Sequence, residues 1–316
     1  MIMTEVFVHE WPLILFTLLG QLAVGSFIVL GLVNVLATPR YSAKVVDRVA
    51  DPALYAIGPA MVVGLIISML HLGNPLNAIN AFRHLDTSWL SREVFFGALF
   101  AGLGFVFAVL QWRRWGSRKL RQLLAVVTAL VGVLLVISMA FVYMRPTLPY
   151  LNRWTTLVGF GVTTILLGCL AMGVALTGSP KVGTGLQERL FPSFAPLKDH
   201  EELGVEKLLT NTLRWIGVTT MALLPLQLLV MMFAILPPTA PDAQMHEFSM
   251  VGLVTRGILL IVGAGVLGLF LFIGGREQAS TGILLGLVSS AFIITIVAEF
   301  LGRIMFYAAL VPTGVG

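Results

Sequence analysis

The sequence predicts an all-α integral membrane bundle of eight transmembrane helices, with both chain ends on the non-cytoplasmic face. Three observations predict it. First, 58% of the 316 residues are hydrophobic and only 11% are charged, against about 25% charged in a soluble domain; the mean hydropathy is +0.95. No water-soluble fold could hide that much apolar surface. Second, the apolar residues gather into eight runs, 11–37, 54–73, 94–112, 122–144, 155–178, 214–236, 249–274 and 282–311. Each is close to the roughly 20 residues that cross a bilayer as a helix. Barrel strands would alternate and be about half as long.

Third, the charges between the runs are asymmetric. The loops after the first, third, fifth and seventh runs carry Arg40, Lys44 and Arg48; Arg113, Arg114, Arg118, Lys119 and Arg121; Lys181, Arg189, Lys198, Lys207 and Arg214; and Arg276. The other loops carry Arg83, Arg92, Arg145 and Arg153. Basic loops stay cytoplasmic, so both termini are expected outside. The basic pI near 9.7 is thus a topology signal and gives no reason to expect nucleic acid as a partner.

The individual elements follow from this frame. The first ten residues hold two acids and no Lys or Arg, unlike the positive start of a secretory signal, so the first helix is expected to be retained. The loop 179–213 is the longest; it is mixed in charge, cytoplasmic in this reading, with room for a short surface helix. The sequence reads as a single membrane domain without internal repeat. The single cysteine, Cys169, lies in an apolar run and reads as packing. One cysteine cannot hold an iron–sulfur cluster or a structural zinc. The histidines are His9, His71, His84, His200 and His246. All fall at helix ends or in loops, so the paired ligands of a membrane haem are not expected, and the protein is predicted to bind no metal.

Ionisable residues within hydrocarbon cost about 2.5–3.5 kcal/mol or more each, and those that remain point to a cavity or a partner. Arg256 falls roughly 10 Å, and Arg303 roughly 12 Å, from the outer ends of the last two runs at 1.5 Å per residue. Glu299 and Arg303 are four apart, so they share a face and can pair, and Tyr307 extends that face. Arg256 either snorkels outward or neutralises Glu299 across helices. His71 closes the second run. Arg92 and Glu93 open the third, where Arg92 also suits an interfacial anchor and Glu93 a helix N-terminus. Gln21 and Gln227, alone in apolar runs, read as interhelical hydrogen-bond donors. The ionisable residues are expected in one leaflet, the outer one.

A histidine and a carboxylate at the edge of a membrane cavity suit quinol oxidation. The reaction releases two protons, and an imidazole titrating near neutrality accepts one. A carboxylate passes it to water, and a groove between helices takes the apolar tail.

The motifs H-E-W-P-L-I-L-F-T-L-L-G-Q and G-S-F-I-V-L near the start resemble the membrane-anchor subunit of bacterial dimethyl sulfoxide reductase, the DmsC family. S-M-L-H-L-G-N-P-L-N-A-I-N, L-S-R-E and the late E-F-L-G-R-I-M-F-Y are similar to the same family. The resemblance spans the whole sequence. It implies an inner-membrane anchor for a molybdopterin catalytic subunit and an iron–sulfur subunit on the periplasmic face. It also implies menaquinol oxidation, with electrons passed to the iron–sulfur partner in anaerobic respiration. His71 and Glu93 match the family's quinol-site residues, and Arg303 matches its late arginine. Arg92, Arg256, Glu299 and Tyr307 are expected around the same quinol. The terminal substrate is chosen in the partner. Two other readings remain: a purely structural anchor with no quinol site of its own, and a small-solute or ion transporter.

Overall fold

The computed structural model describes residues 2–51, 84–178, 197–237 and 249–310, together with positions 54, 58 and 63, and side chains from residue 10 onward. The described residues contain helices and turns and no strand. The helices are α1 (Ile2–Ala37), α2 (from residue 43 through at least 51), α3 (Trp89–Arg113), α4 (Arg118–Tyr143), α5 (Trp154–Gly178), α6 (Asp199–Ala234), α7 (Met250–Arg276) and α8 (Thr281–Ala308). All of these except α2 are long and apolar enough to cross a membrane, which makes seven among the described residues. Most of the expected second span, 54–73, lies outside the described residues.

Helix α5 is the hub. It packs on α1, α4, α6 and α8, while α3 lies on the outside of α4, and α7 runs against α6 and α8. The reason is visible in its side chains. Small and β-branched residues, Thr156, Thr163, Thr164, Gly168 and Gly173, are buried around α5, and the hydroxyls of these three threonines all have partners. Thr164 Oγ1, for example, donates to the Phe160 carbonyl at 2.7 Å. With no hydrophobic force between helices in lipid, close van der Waals contact and such bonds hold the bundle. The closest approach is between α1 and α5, where a Cβ on Gly25 would strike the Thr164 carbonyl and one on Gly168 would strike the Gly25 backbone.

Two features differ from the sequence expectation. Residues 199–213 are not loop but the first four turns of α6, and the helix continues unbroken to Ala234. Asp199, Glu201 and Glu202 occupy its first turn, where acids favour the helix dipole. The Glu201 carboxylate accepts the Lys198 N–H at 3.0 Å. Val205, Leu208, Leu209 and Leu213 are buried on one face while Glu202, Glu206 and Lys207 stay exposed. The segment is amphipathic, so mean apolarity misses it. Helix α7 carries a π-helical turn over Ile261–Val266, flanked by α-helical Met250–Leu260 and Leu267–Arg276.

The basic residues at the α3–α4 turn do more than mark a side. Arg114 sits in the left-handed region (φ 56°), and its guanidinium reaches Asp47 at 3.0 Å and Asp51 at 2.7 Å. Arg118 adds a contact to Asp47 at 3.4 Å, and Gln111 donates to Asp51 at 2.8 Å. These bonds tie α2 to the turn. Asp47 and Asp51 give no warning of this in the sequence, because they lie in a polar stretch where an acid carries no signal by itself.

Candidate functional site

At the end of the bundle where α3, α5 and α7 begin and α4, α6 and α8 finish, polar side chains from several helices meet inside the apolar core. Glu299 of α8 is buried and fully engaged. Its Oε2 accepts from Thr163 Oγ1 of α5 at 2.9 Å, and its Oε1 accepts from Gln227 Nε2 of α6 at 2.8 Å. The Arg256 guanidinium of α7 reaches Oε2 at 3.3 Å. One carboxylate thereby joins four helices. Gly302, one turn after Glu299, makes room for this: a Cβ there would overlap the Arg256 guanidinium.

Arg303 turns toward α1, where it donates through Nη2 to Gln21 Oε1 at 2.7 Å. Its guanidinium lies 3.9 Å from the centroid of the Phe160 ring, a cation–π contact in a desolvated setting. Gln21 in turn donates to the Phe160 carbonyl at 3.2 Å. The i, i+4 spacing of Glu299 and Arg303 does put both on one face, but each finds its hydrogen-bonding partner on a different neighbouring helix.

A cavity of about 90 Å³ opens beside this cluster, well above the roughly 10–15 Å³ that one water needs. Thr163, Gln227, Arg256, Glu299 and Arg303 line it. Gln227 Oε1 and Arg256 Nε are buried there without a hydrogen-bond partner among the described residues. Buried polar atoms left this way call for water or a ligand.

Next to Arg303, Tyr307 and Tyr143 of α4 are buried, with their hydroxyls 3.1 Å apart. Glu93, near the start of α3, is 6% exposed and lies within electrostatic reach of both tyrosines. It makes no hydrogen bond or ion pair among the described residues. Arg92 turns the other way. It donates to the carbonyls of Leu85 at 2.8 Å and Asp86 at 2.7 Å and lies 4.2 Å from the Trp89 ring centroid. It staples the turn that leads into α3. His71 lies outside the described residues.

The structure therefore sorts the sequence-derived residues. Arg256, Glu299 and Arg303 surround one cavity, Tyr307 lies one turn beyond Arg303 on α8, Glu93 is within electrostatic reach of Tyr307, and Arg92 faces the loop. Sequence reasoning misses Tyr143, Phe160 and Thr163. A tyrosine, a phenylalanine and a threonine in apolar runs give no signal of their own, and only the packing of α4 and α5 against α8 reveals them.

The profile of the family described as DMSO reductase anchor subunit (DmsC) matches residues 4–309. The protein belongs to that family. It is 36% identical to the C subunit of the anaerobic dimethyl sulfoxide reductase of Escherichia coli (strain K12) over 191 residues, 60% of this sequence and 64% of that one. The match thus spans a little under two thirds of that relative. It is 28% identical to the anaerobic dimethyl sulfoxide reductase subunit YnfH of the same organism, over 97% of this sequence and 96% of that one. It is also 28% identical to the corresponding C subunit of Haemophilus influenzae, over 95% and 94%. No solved structure matches the sequence. Membership of the DmsC family agrees with the motif resemblance and with the helical bundle, and it makes the protein a membrane-anchor subunit by family.

Proposed function

We propose that this protein anchors a molybdoenzyme reductase in the bacterial inner membrane, oxidises menaquinol near the periplasmic face, and passes the electrons to an iron–sulfur subunit. The observation that carries this reading is Glu93. It is a carboxylate buried in the membrane-spanning part of α3, without a hydrogen-bonded partner among the described residues, near the Tyr143–Tyr307 pair. A buried acid costs stability wherever it has no partner, and such groups mark functional sites.

The chemistry is balanced by the proposed parts. Menaquinol becomes menaquinone and releases two electrons and two protons. Glu93 accepts a proton from one ring hydroxyl, and His71, which the family resemblance places at the same site, accepts the other. The electrons leave to the iron–sulfur partner on the periplasmic face, and the molybdopterin subunit spends them on the terminal substrate. The relatives' names point to dimethyl sulfoxide as that substrate. In this reading Tyr143 and Tyr307 shape the wall behind Glu93. The Glu299 cluster holds α5, α6, α7 and α8 in register beside it, and its cavity offers water for the departing protons.

The test is quinol-analogue binding and quinol-driven reduction by the intact membrane-bound complex, comparing wild type with Glu93→Gln and His71→Ala. Loss of a general base lowers rate about 100-fold or more. Reduction should fall by that amount in Glu93→Gln while reduction driven by an artificial donor to the partner subunits stays normal. Assembled complexes that turn over quinol normally with both substitutions would leave this protein as a structural anchor. Solute uptake by the purified protein alone would favour transport.

A further inference from the structure

The opposite end of the bundle carries a second, larger cavity that the quinol reading does not use. About 220 Å³ in volume, it is a groove between the last turns of α1, the turn at Arg40 and Tyr41, and the first half of α6, with Cys169 of α5 on its floor. We infer that this groove binds one anionic phospholipid, its phosphate at Arg40 and an acyl chain laid along α1.

Four features support that occupant. The groove is graded: Leu32, Leu36 and Trp215 form its walls, and Arg40, Tyr41 and Asn211 stand at one end. The polar end is open to a partner from outside the protein, since Arg40 and Asn211 are exposed. Among the described residues, the side chains of Arg40, Tyr41 and Asn211 form no hydrogen bond or ion pair within the protein. The charge is of one sign, because Arg40 lines the groove and, among the described residues, no Asp or Glu does. A guanidinium binds phosphate oxygens in bidentate fashion. The length fits a membrane leaflet. From Ala37, where α1 ends, down to Val29, the groove follows the helix for roughly 12 Å at 1.5 Å per residue, with Arg40 and Tyr41 beyond that end. Half of a hydrocarbon core is about 15 Å. A soluble anion would use the polar end and leave the apolar walls empty.

Trp215 sets the depth. Its side chain is 63% exposed, and tryptophan concentrates at the level of lipid headgroups. The groove lies at the same end as the Arg114–Asp47–Asp51 cluster, which the charge asymmetry of the loops assigns to the cytoplasmic leaflet. Anionic lipids attract basic residues there.

The experiment uses the full-length protein with its native partners, in nanodiscs of phosphatidylcholine containing phosphatidylglycerol. Native mass spectrometry counts the lipids that stay bound after extraction, and a photoactivatable phosphatidylglycerol marks where they sit. Phosphatidylglycerol should be retained in preference to phosphatidylcholine. Arg40→Gln should weaken its retention about tenfold or more, the loss expected for a charge-assisted hydrogen bond to phosphate. Lys119→Gln, which removes an exposed charge at the same end but outside the groove, should change it by no more than about fivefold, the limit for a charge acting only through the general surface potential. The photolabel should fall on 29–41 and 208–219.

Equal losses in the two variants would reduce the effect to general surface attraction and overturn the site. Equal retention of phosphatidylcholine would overturn the anionic preference. Displacement by millimolar inorganic phosphate alone would assign the arginine to a soluble anion. A label absent from both segments would overturn the site.

Discussion

Glu299 concentrates the energetics of the candidate site in one side chain. It is 2% exposed, and its carboxylate meets Thr163, Gln227 and Arg256. Removing one member of a buried ion pair costs about 3–5 kcal/mol, because the remaining charge is left uncompensated. Glu299→Ala should therefore lower the thermal stability of the detergent-solubilised protein strongly. Glu299→Gln keeps the volume and part of the hydrogen bonding and should cost less. Gly302→Ala approaches the same contact from the other side. The added methyl overlaps the Arg256 guanidinium, the flexible end of that side chain, so the arginine must swing aside and the cost is its loosened contact with Glu299. A double-mutant cycle between Gly302→Ala and Arg256→Ala, read by thermal unfolding, should show strong coupling. Additive effects would mean that Gly302 does not seat the arginine.

Charge in an apolar run is legible from sequence, and Arg256, Glu299 and Arg303 stand out on that ground alone. Of the two alternatives the sequence leaves for Arg256, the structure shows neutralisation of Glu299; the pairing of Arg303 with Gln21 is not legible, since it depends on which neighbouring helix brings an acceptor closer than the residue one turn away. Gln21 and Gln227 read as interhelical donors, and both are: one donates to the Phe160 carbonyl, the other to Glu299.

At the scale of elements, sequence and structure agree where apolarity alone defines a helix and part where periodicity does. The helices α3, α4, α5, α7 and α8 lie within a few residues of their apolar runs. The first half of α6 reads as loop because its exposed acids and lysine lower the average, although Val205, Leu208, Leu209 and Leu213 already mark a helical face. The π turn in α7 has no signal beyond Gly263 and Gly265. Its consequence is one of register. Each helical residue turns the face by about 100°, so the extra residue lets the stretch before it aim Arg256 at α8 while the stretch after it packs on α6. The α1–α5 crossing is the most sensitive element contact. Gly168→Val would drive a branched side chain into the Gly25 backbone and force the helices apart. Because Gln21 on α1 holds Arg303, the separation should also loosen the site. Expressed in membranes, this variant should show a lowered melting temperature together with weaker quinol-analogue binding. Unchanged melting would mean that the two helices do not meet at these glycines.

For the whole molecule, the consequence lies in where protons appear. Glu93, Tyr143, Tyr307 and the Glu299 cluster all gather at the end of the bundle opposite the Arg114 clamp and the basic α3–α4 turn. If the proposed function holds and the basic end is cytoplasmic, the side to which basic loops are retained, quinol oxidised at Glu93 releases its two protons on the periplasmic side. A partner reductase docked on that side consumes two protons for each oxygen atom it removes as water. Release and uptake then cancel on one face, and no charge crosses the bilayer through this protein. The intact complex, reconstituted in sealed vesicles with a single orientation and driven by menaquinol, should turn over without acidifying or alkalinising the lumen and without building a membrane potential. A pH-sensitive dye trapped inside, read beside a potential-sensitive dye, measures both. A lumenal pH change that scales with turnover and collapses with an uncoupler would require a proton path through the bundle. The Glu299 cavity, with Gln227 Oε1 and Arg256 Nε unpaired among the described residues, would be the first place to look for it. A silent lumen together with normal turnover would place quinol oxidation and terminal reduction on the same face.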